Sequence, residues 1–182
     1  MMRLPTHLLL AVLSGLLLLA GCSSGRAHPE PGAAPVGAAT TAATGGTVVA
    51  VTKVTDGDTF YAVYLGRDER IRLIGVDTPE VPWYGGKGEC YGVEAGLYTR
   101  ERLVGRSVRL EFDQDLRDRY GRLLAYAYLG NDLFNLTLVR LGYARADAVP
   151  PDTRMAAAFG RAQSEAEAAG IGLWSACPAE GP

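Results

Sequence analysis

Glu69-Arg70-Ile71-Arg72-Leu73-Ile74-Gly75-Val76-Asp77-Thr78-Pro79-Glu80 holds a strand and a cluster of ionisable groups within twelve positions. Ile71 and Leu73 alternate with Arg70 and Arg72. A period of two puts the aliphatic pair on one face of a strand and the guanidinium pair on the other. The strand predicted over 69–75 ends at Gly75, and the acidic segment Asp77-Thr78-Pro79-Glu80 comes almost at once.

The same patterning extends in both directions. Upstream, Val48-Val49-Ala50-Val51 opens a strand, Asp56-Gly57-Asp58 is a turn signal, and 59–64 reads as a second strand. Downstream, a helix is predicted over 92–104, stopped by Gly105. Two strands come next, over 107–113, where Val108, Leu110 and Phe112 alternate with Arg109 and Glu111, and over 123–128. Asn135 is placed to cap a helix over 136–141, which Gly142 ends. A last helix is predicted over 154–169, with Met155, Ala158, Phe159, Ala162 and Ala166 on one face and Gly170 as its stop. Three strands, a helix, two strands and two helices suit a small closed β-barrel with helices packed on it.

The first 46 residues stand apart from that pattern. An apolar run over 8–19 is about signal-peptide length and too short for an ordinary membrane span. It leads into Leu19-Ala20-Gly21-Cys22, which resembles a bacterial lipoprotein signal. The organisation expected is a signal peptide over 1–21, a lipidated Cys22 opening a tether over 22–46, a folded domain over 47–177 and a short tail over 178–182. The tether is mostly Ala, Gly, Pro, Ser and Thr, too poor in large apolar side chains to offset its ordering entropy. An ordinary cleaved signal with an incidental cysteine is the alternative. Such a leader implies export, with a lipid anchor in a bacterial membrane and an extracytoplasmic, oxidising location. With Cys22 consumed by lipid, Cys90 and Cys177 are the two cysteines left, and a disulfide between them is expected; two buried free thiols are the alternative.

Composition narrows the chemistry. Hydrophobic residues at 48% are enough for a packed core, and a net charge of −2 gives no global basic signature for nucleic acid, so a polyanion would need a local basic cleft. The two histidines, His7 and His28, fall in the leader and the tether. The folded domain has none, which excludes Ser-His-Asp and Cys-His catalysis and histidine-liganded zinc. Catalysis must then rest on carboxylates, arginines, hydroxyls or a hard metal held by oxygen. Four clusters qualify: Asp56-Gly57-Asp58-Thr59, Arg72, Asp77-Thr78-Pro79-Glu80 and Arg119-Tyr120-Gly121-Arg122. Two carboxylates with a backbone carbonyl suit a hard cation, and an arginine pair matches the oxygens of a phosphate. Taken singly, each cluster has a plainer explanation: a turn, a cap, a solvated strand residue, a charged hairpin.

Their joint order carries more. Asp58, the segment from Arg72 to Glu80 and Tyr120-Gly121-Arg122 resemble the staphylococcal nuclease (thermonuclease) family in order and approximate spacing. The likeness continues through Tyr91-Gly92-Val93-Glu94-Ala95, Glu111-Phe112-Asp113, Leu138-Val139-Arg140-Leu141-Gly142 and Leu173-Trp174. It implies an OB-fold, a five-stranded β-barrel with three packed helices. It implies that Asp58, Asp77 and the carbonyl of Thr78 hold one Ca²⁺, that Glu80 orients or deprotonates the attacking water, and that Arg72 and Arg122 bind the scissile phosphate. Arg119 and Tyr120 become candidate substrate contacts. The activity implied is calcium-dependent hydrolysis of DNA or RNA to 3′-phosphate products by a monomer.

One region departs from the family pattern. Ala146-Asp147-Ala148-Val149-Pro150-Pro151 stands where the family has aromatic residues lining the nucleotide pocket. Base stacking there should be weaker, leaving Tyr120 as a stacking surface. The Gly-rich loop over 81–90, with Trp83, Tyr84 and Lys87, either supplies a substitute or is merely pinned through Cys90. The competing functional reading is a non-catalytic nucleic-acid-binding module of the same fold. A further one is an envelope lipoprotein that binds protein or glycan.

Overall fold

The computed structural model describes residues 40–41, 45–83 and 85–177. The signal peptide, Cys22, most of the tether and the tail expected from the sequence lie outside the described residues. In chain order the strands are β1 (Thr40–Thr41), β2 (Thr47–Val54), β3 (Thr59–Tyr64), β4 (Arg67–Leu73), β5 (Val76–Asp77), β6 (Ser107–Glu111), β7 (Leu123–Leu129), β8 (Asp132–Leu133) and β9 (Arg145–Ala146). The helices are α1 (Gly92–Leu103), α2 (Phe134–Arg140), α3 (Ala156–Ala168) and α4 (Leu173–Ala176).

Five strands close on themselves in the order β2-β3-β4-β7-β6, with β6 returning to β2 through pairs from Thr47↔Leu110 to Ala50↔Ser107. A register shift in β2 between Val51 and Lys53 bends that strand, as a barrel wall requires. The interior is filled by alternate residues of each strand, among them Val49, Phe60, Ile71, Leu73, Leu110 and Ala125, all nearly inaccessible to water. This is the barrel expected from the element order.

The pairing of β4 with β7 sets where the site arginines stand. These two strands run parallel, with Ile71↔Leu123, Arg72↔Leu124 and Leu73↔Ala125 in register, whereas the other barrel pairs are antiparallel. Parallel neighbours need a long crossover, here supplied by α1 and β6. The pairing brings Arg72 level with Leu124, and so close to the 118–122 segment that leads into β7.

Three local features differ from expectation. Thr40–Thr41, within the stretch read as a tether, pairs antiparallel with β2 (Thr40↔Val48, Thr41↔Thr47). A strand edge offers unpaired backbone groups that even a short extended segment can satisfy. Asn135 does not cap α2; it lies inside the helix, fully buried. Its Oδ1 accepts from Ala127 N at 2.9 Å, and its Nδ2 donates to Ile74 O at 2.8 Å, so the amide satisfies barrel backbone rather than the helix end. A fourth short helix, α4, comes after the three expected. Its start is fixed by Leu173 N donating to Gly142 O at 2.9 Å, with Gly142 (φ 65°) so close to Ile171 that a Cβ there would meet its carbonyl at 2.2 Å. The expected Cys90–Cys177 bridge is present, closing 87 residues of chain with a Cα–Cα separation of 5.8 Å.

Candidate active site

The turn between β2 and β3 sets the first acidic residue. Asp58 N donates to Asp56 Oδ1 at 3.1 Å, and Leu73 N donates to Asp58 O at 2.9 Å, so the turn is stitched to the end of β4. Thr99 Oγ1 of α1 donates to Gly57 O at 2.6 Å from the other side. The Asp58 carboxylate is buried and heavily used. Its Oδ2 accepts from Thr78 N at 2.8 Å and Thr78 Oγ1 at 2.9 Å, and its Oδ1 accepts from Thr59 Oγ1 at 3.0 Å and pairs with Arg72 Nη1.

After Leu73 the chain turns at Gly75 (φ 76°), where a side chain would strike the Phe159 ring. It re-forms as β5, paired to β9 through Val76↔Ala146 and Asp77↔Arg145. That return places Asp77 beside Arg72, whose Nη2 donates to Asp77 Oδ1 at 2.9 Å. One guanidinium therefore bridges two carboxylates of different exposure, the Asp58 side chain at 5% and that of Asp77 at 60%.

Arg122 is fixed by a different device. Asp118 accepts from Arg122 Nε at 2.6 Å, from Arg122 N at 2.9 Å and from Tyr120 N at 2.9 Å, which folds the segment back on itself. Burial acts to raise the Asp118 pKa, but the hydrogen bonds from Arg122 outweigh it and hold the carboxyl below its ordinary range. The Tyr120 ring, 65% exposed, has two cations near it, Arg119 at 4.8 Å and Arg122 at 5.5 Å from its centre. Arg119 Nη2 also donates to Tyr120 Oη at 2.7 Å. Arg72, Arg119, Tyr120 and Arg122 line one open cleft of about 560 Å³, completed by Leu124, Val149 and Pro150. The wall where the family pattern has aromatics is aliphatic here, with Val149 exposed.

Glu80 is exposed, and its pKa lies above the usual carboxylate range. Partial burial is the main cause, followed by the neighbouring charges of Asp56, Glu89 and Asp77, against the opposing pull of Arg72. Asp56, grouped with Asp58 in the sequence but given no role of its own, is also raised, chiefly by burial, and feels both Arg72 and Arg122. It belongs with the site; the repeat in Asp56-Gly57-Asp58 was its one visible signal. Asp118 was likewise missed, although its position four residues before Arg122 was available. The Trp83 ring lies against Gly96 of α1, where a Cβ would meet it at 2.7 Å, so this part of the 81–90 loop packs on the helix instead of facing the cleft. Tyr84 lies outside the described residues.

The donor set fits a hard cation. Asp58 and Asp77 supply oxygen only, and a positive group already sits between them. Among the described residues no three acidic, histidine or cysteine side chains form a ready-made metal cage.

Comparison with known proteins gives the family. The family described as Staphylococcal nuclease homologue matches residues 70–176. The thermonuclease of Staphylococcus intermedius is 42% identical over 124 residues, 68% of this chain and 74% of the relative. The thermonuclease of Staphylococcus hyicus is 39% identical over 125 residues, 69% and 74% of the two chains. Endonuclease YncB of Bacillus subtilis (strain 168) is 35% identical over 129 residues, 70% and 61% of the two.

Proposed function

Because the chain belongs to the staphylococcal nuclease family and is a nuclease, a hydrolase of phosphodiester bonds, we propose that it is a calcium-dependent endonuclease and, from the apolar run ending at Cys22, that it is anchored outside the cytoplasm. The observation that carries this reading is the convergence of Arg72 and Arg122 in one cleft, with Asp58 and Asp77 on the flank of Arg72. Metal dependence is general in the family, and the all-oxygen donor set of Asp58, Asp77 and Thr78 favours calcium over softer ions.

Arg72 on β4 and Arg122 on the segment leading into β7 approach the scissile phosphate together and stabilise charge that grows on its oxygens in the transition state. Calcium, when bound, supplies fixed positive charge beside the same phosphate. Glu80 orients the attacking water and accepts its proton, a role suited to a carboxyl with a raised pKa. Tyr120 and Arg119 hold the adjoining nucleotide, the ring by stacking and the guanidinium by its charge. With the opposite wall aliphatic, base contacts are weak, and DNA and RNA are both within reach of the cleft.

In-line attack with departure of the 5′-oxygen leaves 3′-phosphate ends. Digestion of an end-labelled oligonucleotide with calcium tests this: the fragments should resist polymerase extension until treated with phosphatase. Fragments that extend directly would mean that the other oxygen leaves. The anchor is tested by Cys22→Ser, which should move the protein from the membrane fraction to the soluble one; an unchanged distribution would count against lipidation at Cys22.

A further inference from the structure

Glu80 and Glu89 are joined twice. Glu89 N donates to Glu80 O at 2.9 Å, and Glu80 N donates to Glu89 Oε2 at 3.1 Å. The Gly-rich loop over 81–88 leaves and returns through this two-point closure. Behind it stands the start of α1. Gly92 N donates to Glu89 O at 3.1 Å, and Gly92 is pressed so close to Glu80 that a Cβ would lie 2.0 Å from the Glu80 carbonyl oxygen. The residue after Glu89 is Cys90, bonded covalently to Cys177 just beyond α4.

We propose that Glu89 is a positioning residue for Glu80, and that the Cys90–Cys177 disulfide anchors this hold to the C-terminal end of the domain. The inference rests on the reading of Glu80 as the group that acts on water. The Glu80 peptide is fixed on its carbonyl side by backbone contacts that any residue at position 89 would supply. On its amide side the acceptor is a side-chain oxygen that only a few residue types offer. Without that acceptor the exposed amide turns to water, and the Glu80 backbone is free to shift relative to the cleft. The phosphate-binding arginines are on β4 and on the segment before β7, which this closure does not touch. A defect here therefore falls on turnover and not on substrate binding.

The test is steady-state cleavage of a fluorogenic oligonucleotide with calcium, well below each variant's melting temperature and at alkaline pH, where Glu80 is ionised in every variant. Glu89→Ala should lower kcat about tenfold or more, the scale of a misplaced reacting group, with KM changed less than about twofold. Glu89→Gln keeps an oxygen acceptor and should restore kcat to within about twofold of the unaltered chain. Glu89→Asp, one methylene short, should fall between them and carries the test if the alanine variant does not fold. The Cys90→Ser/Cys177→Ser double variant should lower kcat in the same sense, and its effect should not add to that of Glu89→Ala. Wild-type kcat in a folded Glu89→Ala or Glu89→Asp variant would overturn the proposal, as would a rise in KM with kcat unchanged. An inactive unaltered chain would instead overturn the nuclease reading beneath it.

Discussion

Arg72 donates from Nη2 to Asp77 Oδ1 at 2.9 Å while its other amino group pairs with Asp58. The two aspartates are not equivalent partners. Asp58 is buried and also holds the Thr78 amide and hydroxyl, whereas Asp77 has a largely exposed side chain. Removing Asp58 leaves the Thr78 amide without its acceptor and Arg72 with Asp77 as its carboxylate partner. Asp58→Ala should therefore lose about 1–3 kcal/mol of stability in denaturant titration. Asp77→Ala should lose no more than about 1 kcal/mol. Calorimetric calcium affinity should fall on the order of tenfold or more in Asp77→Ala, which makes it the cleaner probe of the cation site. Unchanged calcium affinity in that variant would count against Asp77 as a ligand.

The raised pKa of Glu80 gives the rate a pH dependence of definite sign. Burial, with the charges of Asp56, Glu89 and Asp77, keeps the carboxyl protonated to higher pH than an isolated glutamic acid. A protonated carboxyl cannot take a proton from water. On acidification kcat should therefore fall as Glu80 takes up a proton, and it should recover as pH rises again. Glu80→Gln should be slow and lack that rising limb. A limb that persists in Glu80→Gln would assign it to another group.

The disulfide should contribute to stability largely through the unfolded chain. Closing 87 residues corresponds to about 4–5 kcal/mol in the chain-entropy description, an upper figure for Cys90–Cys177. Reduction should lower the melting temperature clearly. Two freely alkylated thiols in the purified protein before reduction would contradict the bridge.

The arginines and Glu80 should act as one unit. Arg72→Ala, Arg122→Ala and Glu80→Ala should each reduce turnover on the order of 10²-fold or more, with less-than-additive combined losses and a smaller change in nucleic-acid affinity. Asp118→Ala removes the acceptor of Arg122 Nε and should show a weaker form of the Arg122→Ala defect. Full activity in Arg122→Ala would discard this assignment of the site.

Much of this was legible in the sequence because it is written in local patterns. The alternation of Ile71 and Leu73 with Arg70 and Arg72 marks both the core face and the site face of β4, and the glycine stops at 105, 142 and 170 close the three longer helices within two residues of their ends. What stayed hidden depends on distant partners. Asn135 looks like a cap because the cap preference is local, yet its acceptors and donors are in β7 and at Ile74, reachable only once β4 and β7 lie parallel. Glu89 and Asp118 act through the backbone of other residues, and no residue-type pattern announces that. Asp56 stood inside a candidate cluster, but its turn explains it without a separate role, so the sequence singled out Asp58 instead.

The most direct test is plasmid nicking by the purified domain with calcium and with excess chelator. Calcium-dependent conversion of supercoiled DNA to nicked and linear forms, abolished by chelator, is the expected result. DNA that is bound but left intact in calcium would contradict the enzymatic role in favour of a non-catalytic binding module, and equal cleavage in chelator would remove the cation from the site formed by Asp58, Asp77 and Thr78.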